Sequence, residues 1–291
     1  MRFARRKISV ATALALVVSG IIFGSFLRPH LAAFHARLSS GGYRAPKVFD
    51  DLSNRQRQPC PPASESIVLV AFGQSNSANS AGHRSRDDSG RVFSFHEGQC
   101  HRAQDPLPGA TGTGGSPWIK LAQRLAERTG RKVVLQTFGV GMTSIRRWTD
   151  DKDLGHFADL NLAALKRQYD RVDYVLWVQG ESDVDLDPAA YGAALPLIEA
   201  RVRRHFPDAI FGLSSTTYCA GDSSPTLAAL QSDFARGDPR RVWLGNTDRY
   251  SAWEYRWDDC HFSERGIDAL VEEFAGRLVE QRHLSLPPSG H

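Results

Sequence analysis

The chain has 291 residues, 41% hydrophobic and 23% charged, a composition that excludes a disordered chain and suits one large domain or two small ones. Its formal charge of +4 is local, because residues 1–30 hold Arg2, Arg5, Arg6, Lys7 and Arg28 and no acid, leaving a net −1 elsewhere. That balance excludes a broad basic face for nucleic acid.

The basic cluster precedes Ile8–Leu27, an uncharged, mostly apolar run of 20 residues. About 20 such residues span a bilayer as a helix. The run exceeds the roughly 7–15 apolar residues of a cleaved signal, and no small-x-small site follows it. Residues 1–30 therefore read as a cytoplasmic tail and transmembrane signal anchor, with secretion after cleavage as the alternative. Positive charge before the span places the remainder outside the cytoplasm. Residues 31–65, punctuated by Pro and Gly, read as a stalk, and 66–285 as the catalytic domain.

Ser66–Phe72 is a compact apolar run suited to a central parallel strand. Trp118, Leu121, Ala122 and Leu125 recur at helical spacing, with Gly130 as the stop. Lys132–Phe138 and Tyr174–Val178 read as the second and third strands, with a helix carrying Leu160, Leu162, Leu165 and Tyr169 between them. Pro188 opens a helix to about Arg204, Ile210–Ser214 is a fourth strand and Val242–Leu244 a short fifth. Ile267, Leu270, Val271, Phe274 and Leu278 form the stripe of a last helix. Such alternation predicts an α/β protein with helices on both faces of a mostly parallel five-stranded sheet. Its site belongs at the carboxyl ends of the strands.

Three polar segments fall at such ends or in a late loop: Gly73-Gln74-Ser75-Asn76, Gln179-Gly180-Glu181-Ser182-Asp183 and Asp258-Asp259-Cys260-His261. A serine hydroxyl attacks only when an imidazole takes its proton. His261 is the candidate base, and Asp258 can hold its ring in the required tautomer. Other candidates weaken. The histidines of His96-Glu97-Gly98-Gln99-Cys100-His101 are five apart, not the four of a zinc-binding H-E-x-x-H, so this reads as a loop and no metal is expected. The glycines of residues 109–115 lack the Lys-Ser/Thr of a phosphate loop. Asp233, Asp238 and Asp248 read as surface acids.

The three segments together resemble the SGNH hydrolase superfamily, in its sialate O-acetylesterase-like and acetylxylan-esterase-like branch. The likeness covers roughly 66–280 and includes Gly141-Met142-Thr143-Ser144-Ile145 with Trp148. It departs from the family at Met142, where a second glycine is usual, and before Gln179, where many members have a histidine. The resemblance implies a three-layer α/β/α flavodoxin-like fold and a triad of Ser75, Asp258 and His261, with an oxyanion hole from the Ser75 and Gly141 amides and the Gln179 side chain. Gln74 and Asn76 support the nucleophile. Glu181 orients its loop or competes with Asp258 for the histidine. The expected activity is serine esterase chemistry that removes acetyl groups from a carbohydrate without a cofactor. An O-acetyltransferase and a non-catalytic glycan-binding module remain the alternatives, and the oligomeric state stays open. Trp148, Trp177, Trp253 and Trp257 offer faces on which a sugar could stack.

Cys60, Cys100, Cys219 and Cys260 all lie in the exported part, where an even count fits disulfides of three possible connectivities. Cys219 follows the fourth strand and Cys260 precedes His261, so both belong on loops at one sheet edge. That pairing is expected, leaving Cys60 to Cys100.

Overall fold

The structure, a computed structural model, describes residues 43–285. A sheet of eight strands forms its centre: β1 (Arg57–Gln58), β2 (Ser66–Gly73), β3 (Val92–His96), β4 (Gln99–Arg102), β5 (Lys132–Thr137), β6 (Tyr174–Val178), β7 (Ile210–Ser215) and β8 (Arg241–Asn246). Their order is β1-β4-β3-β5-β2-β6-β7-β8. The five expected strands appear within it as β2, β5, β6, β7 and β8. Ranked along the chain they lie 2-1-3-4-5, all parallel, which is the flavodoxin-like order.

The count of five is corrected to eight by an extension beyond β5. There β3 runs parallel to β5, while β4 and β1 add antiparallel. The segment read as a loop at residues 96–101 is the β3–β4 hairpin. Its two turn residues, Glu97 and Gly98, both have positive φ (47° and 81°), as a tight two-residue hairpin requires.

Among the described residues six α-helices complete the layers: α1 (Trp118–Thr129), α2 (Ile145–Thr149), α3 (Leu154–Lys166), α4 (Pro188–His205), α5 (Pro225–Arg236) and α6 (Glu264–Ser285). Alternate residues of β2 serve opposite faces, as the pleat demands. Ile67, Leu69 and Ala71 join a core with Leu121 and Leu125 of α1 and Ile267, Leu270 and Phe274 of α6. On the other face Phe72 meets Phe138 and Trp177 at 4.9 Å each, and Trp148 of α2 at 5.5 Å. Trp148 and Trp177 are wholly buried here, so neither is a sugar platform. Leu160, expected on the inner stripe of α3, is half exposed, while Leu162 and Leu165 are buried.

The compact unit begins at Ala45, ahead of the expected boundary at 66. Residues 45–65 are not a free stalk. Phe49 exchanges backbone hydrogen bonds with Gly109 and Ala110, β1 pairs with β4, and Cys60 is disulfide-bonded to Cys100. The second expected bond, Cys219–Cys260, is also present. No helix among the described residues is long and apolar enough to cross a membrane. The anchor read at Ile8–Leu27 lies outside the described residues.

Candidate active site

The carboxyl ends of β2 and β6 meet at the point where the strand order reverses, and the chain there leaves no room for ordinary side chains. Gly73 has φ of 136°, and a Cβ on it would lie 2.0 Å from the Val178 carbonyl oxygen. Glycine is therefore required for β2 to close against β6. The chain then turns through a single 3₁₀ turn, Ser75–Ser77, whose residues are buried, Ser75 being 7% exposed.

Gln74 fastens this turn to the loop after β6. Its Oε1 accepts from the Ser182 amide at 3.1 Å and from Gln179 Nε2 at 3.3 Å. Gln179 is wholly buried, and its Nε2 also donates to Thr143 O at 3.0 Å and Asp183 Oδ2 at 2.6 Å. Its amide hydrogens thus point into the loop's interior. The oxyanion role implied for Gln179 does not match this placement, and the side chain works as a brace. Asp183 extends the brace by accepting from the Ile145 amide at 2.7 Å, which fixes the start of α2.

Asn76 reaches the other way. Its Nδ2 donates to Glu181 Oε1 at 2.6 Å and to the Cys260 carbonyl at 3.4 Å. That carbonyl also accepts from Arg256 Nη1 at 2.7 Å, so the histidine loop is tied to the serine turn through the residue beside each. His261 Nδ1 lies 2.7 Å from Asp258 Oδ2, and Asp258 Oδ1 accepts from the His261 amide at 2.7 Å and the Cys260 amide at 3.1 Å. Burial pushes the Asp258 carboxyl up, but these hydrogen bonds outweigh it and hold the group below its ordinary value. Asp258 is thus the ionised partner on the ring.

Glu181 behaves in the opposite way. Burial raises it to about 7, and its Oε2 has no hydrogen-bond partner among the described residues. Its side-chain partner there is Asn76, so geometry assigns it to the turn and not to the histidine.

Gly141 stands beside the serine: a Cβ placed on it would lie 3.5 Å from Ser75 Cβ. Met142, in the position of the family's second glycine, has φ of 59° and is 89% exposed. A left-handed conformation costs a non-glycine residue about 1–2 kcal/mol, which explains why glycine is usual there. Trp257 is also exposed, its indole donating to Ser80 O at 3.0 Å while its amide donates to His261 O at 3.0 Å.

Sequence reasoning missed two polar anchors. Asp248, read as a surface acid, accepts from the Thr217 amide at 2.6 Å and the Tyr218 amide at 2.9 Å, next to Cys219. Arg256 is 2% exposed and donates to Tyr250 O, Thr247 O and Cys260 O. The only hint in the sequence is an arginine set among aromatic residues just before Asp258.

Comparison with known proteins agrees with this picture. Residues 65–209 match the family described as carbohydrate esterase, sialic acid-specific acetylesterase. No curated protein sequence matches the chain. Among solved structures, a protein of Arabidopsis thaliana aligns at 18% identity over 76% of this chain and 99% of its own, with a TM-score of 0.59. NanS aligns at 13% identity over 77% of this chain and 100% of its own, with a TM-score of 0.57. At such identities these two speak for the fold.

Proposed function

We propose, from the match of residues 65–209 to the carbohydrate esterase, sialic acid-specific acetylesterase family, that this chain is an exported, membrane-anchored serine esterase. It removes O-acetyl groups from a carbohydrate through an acyl-enzyme. The observation that carries the reading is the His261–Asp258 contact of 2.7 Å on a loop tied to the turn of Ser75. An N–H at Nδ1, held by Asp258, leaves Nε2 as the basic nitrogen, the tautomer needed to take a serine proton.

In the first half-reaction Ser75 Oγ bonds to the acetyl carbon as its proton passes to His261. The proton then goes to the departing sugar oxygen. In the second, water loses a proton to the same histidine, and acetate leaves with Ser75 restored. The Ser75 amide and the side of the turn lined by Gly141 face the developing oxyanion. Gln74, Asn76 and Gln179 hold the geometry. Trp257 beside His261 offers a flat apolar face to a sugar ring.

Turnover of acetylated sugars by the purified protein tests the reading. Ser75→Ala and His261→Ala are each expected to lower kcat by about 10⁴-fold or more, since members of a triad act as a unit. A folded Ser75→Ala protein with unreduced activity would refute it.

A further inference from the structure

The glycine-rich loop at 109–115 is unaccounted for by the roles above, and it delivers one side chain to the site. Thr111 is partly exposed, and its Oγ1 accepts from the Gly141 amide at 2.9 Å. A Cβ placed on Gly141 would stand 3.5 Å from Ser75 Cβ and 3.6 Å from Thr111 Oγ1, so serine and threonine flank the same point. The loop is pinned: the Thr111 amide donates to Gly139 O, and the Asn79 amide donates to Thr111 O, both at 2.9 Å. With its oxygen already an acceptor for Gly141, the Thr111 hydroxyl has its own proton to give, and that proton meets no acceptor among the described residues.

We propose that the Thr111 hydroxyl is an oxyanion-hole donor, supplying directly the hydrogen bond that the inward-turned Gln179 does not. This rests on the serine-esterase reading above. As Ser75 Oγ bonds to the acetyl carbon, the carbonyl π pair moves onto oxygen, and that oxygen accepts from the Ser75 amide and from Thr111 Oγ1–H. The Gly141 amide, donating to Thr111 Oγ1, polarises the hydroxyl and strengthens its donation. Collapse of the intermediate returns the pair to the carbonyl and expels the sugar oxygen with the proton from His261. Thr111 keeps its proton throughout.

The experiment compares wild type, Thr111→Val and Thr111→Ser in acetyl-ester turnover and in the rate at which a fluorophosphonate labels Ser75, a reaction that also builds charge on an oxygen. Removing one such donor typically costs about 10²–10³-fold in kcat. Thr111→Val is expected to lose about 100-fold in kcat and in labelling rate with KM changed little, and Thr111→Ser to stay within about threefold of wild type. A role in packing alone would not let serine restore both rates while valine, of threonine's shape, loses them, and a role only as the acceptor for the Gly141 amide would lower the melting temperature of Thr111→Val and change its KM along with its rates. Should Thr111→Val melt below the assay temperature, Thr111→Cys, a weaker donor of similar size, is expected to lose about tenfold. Valine or cysteine variants that turn over and label like wild type overturn the proposal. A wild-type protein that hydrolyses no acetyl ester, yet is labelled at Ser75 in a Thr111-dependent way, would overturn the esterase reading and leave this one standing.

Discussion

Glu181 and Asp258 are two carboxylates of one site whose surroundings drive them apart. Asp258 is held ionised by His261, whereas burial lifts Glu181 to about 7 from an ordinary 4.5. In the folded protein Glu181 therefore binds more protons than in the unfolded chain between about pH 4.5 and 7, and stability falls as pH rises through that window. Glu181→Gln keeps an oxygen for Asn76 but no charge to bury. It is expected to raise stability at pH 8 by on the order of 1–3 kcal/mol and to flatten the pH dependence between those values. Denaturant unfolding across the window checks this, and an unchanged slope would count against the assignment. Asp258 has the opposite sign, its contribution being present above the unfolded carboxylate value and lost as pH falls through its lowered one. Asp258→Asn should accordingly cost far more turnover than Glu181→Gln, because it removes the group that sets the histidine tautomer.

At the scale of elements, the histidine loop is held by Arg256 and by the Cys219–Cys260 bond. Arg256 donates to three carbonyls at 2.7–3.0 Å, and its guanidinium lies 3.9 Å from the Phe262 ring centre. A lysine cannot reproduce that fork. Arg256→Lys is expected to lower stability by about 2 kcal/mol, the worth of one or two charge-assisted hydrogen bonds, and to reduce kcat more than it raises KM. Steady-state kinetics beside thermal unfolding separates the two effects. The elements themselves were unequally legible. β2 and β6 are apolar runs and β5 carries a shorter one at 133–135, so burial on both faces announces them. Helix α5 was overlooked although Ser224 caps it, accepting from the Leu227 amide, and Pro225 occupies its first turn. β1 has two residues and exists only because β4 is there to pair with. Within the site, Ser75, Asp258 and His261 stand in recognisable segments. Thr111 and Asp248 do not, because each acts on a partner about thirty residues away that only the fold brings near, and Arg256 does not, because its three acceptors are backbone carbonyls that carry no sequence signature. Gln179 was legible as a site residue but not in its direction, which is set by three acceptors from separate loops.

For the whole molecule, the decisive question is where the catalytic unit starts. Residues 45–65 brace the sheet edge at several points. Arg55 donates to the carbonyls of Gln104 and Pro106, Phe49 holds Gly109 and Ala110 just before Thr111, and Cys60 closes its disulfide with Cys100. The charge of Arg55 also draws down Asp105, a buried carboxyl that desolvation lifts to about 7. A protein truncated to 45–291 keeps all of this and is expected to be soluble without detergent and fully active. The full chain, if Ile8–Leu27 anchors it uncleaved, should need detergent for extraction. Truncation at 66 is a different matter. It removes β1, leaves β4 as a bare edge, frees Cys100 and deprives Asp105 of its cation. Loss of the disulfide alone typically costs about 2–5 kcal/mol in a small exported domain. The 66–291 protein is therefore expected to melt well below 45–291 and to lose turnover beyond what its folded fraction explains, since the loop carrying Thr111 loses its support. Calorimetry and kinetics on the two truncations, with a 45–291 Cys60→Ser/Cys100→Ser variant between them, separate the disulfide from the backbone brace. Equal melting temperatures for 45–291 and 66–291 would show that residues 45–65 only lie along the domain and do not help to hold it.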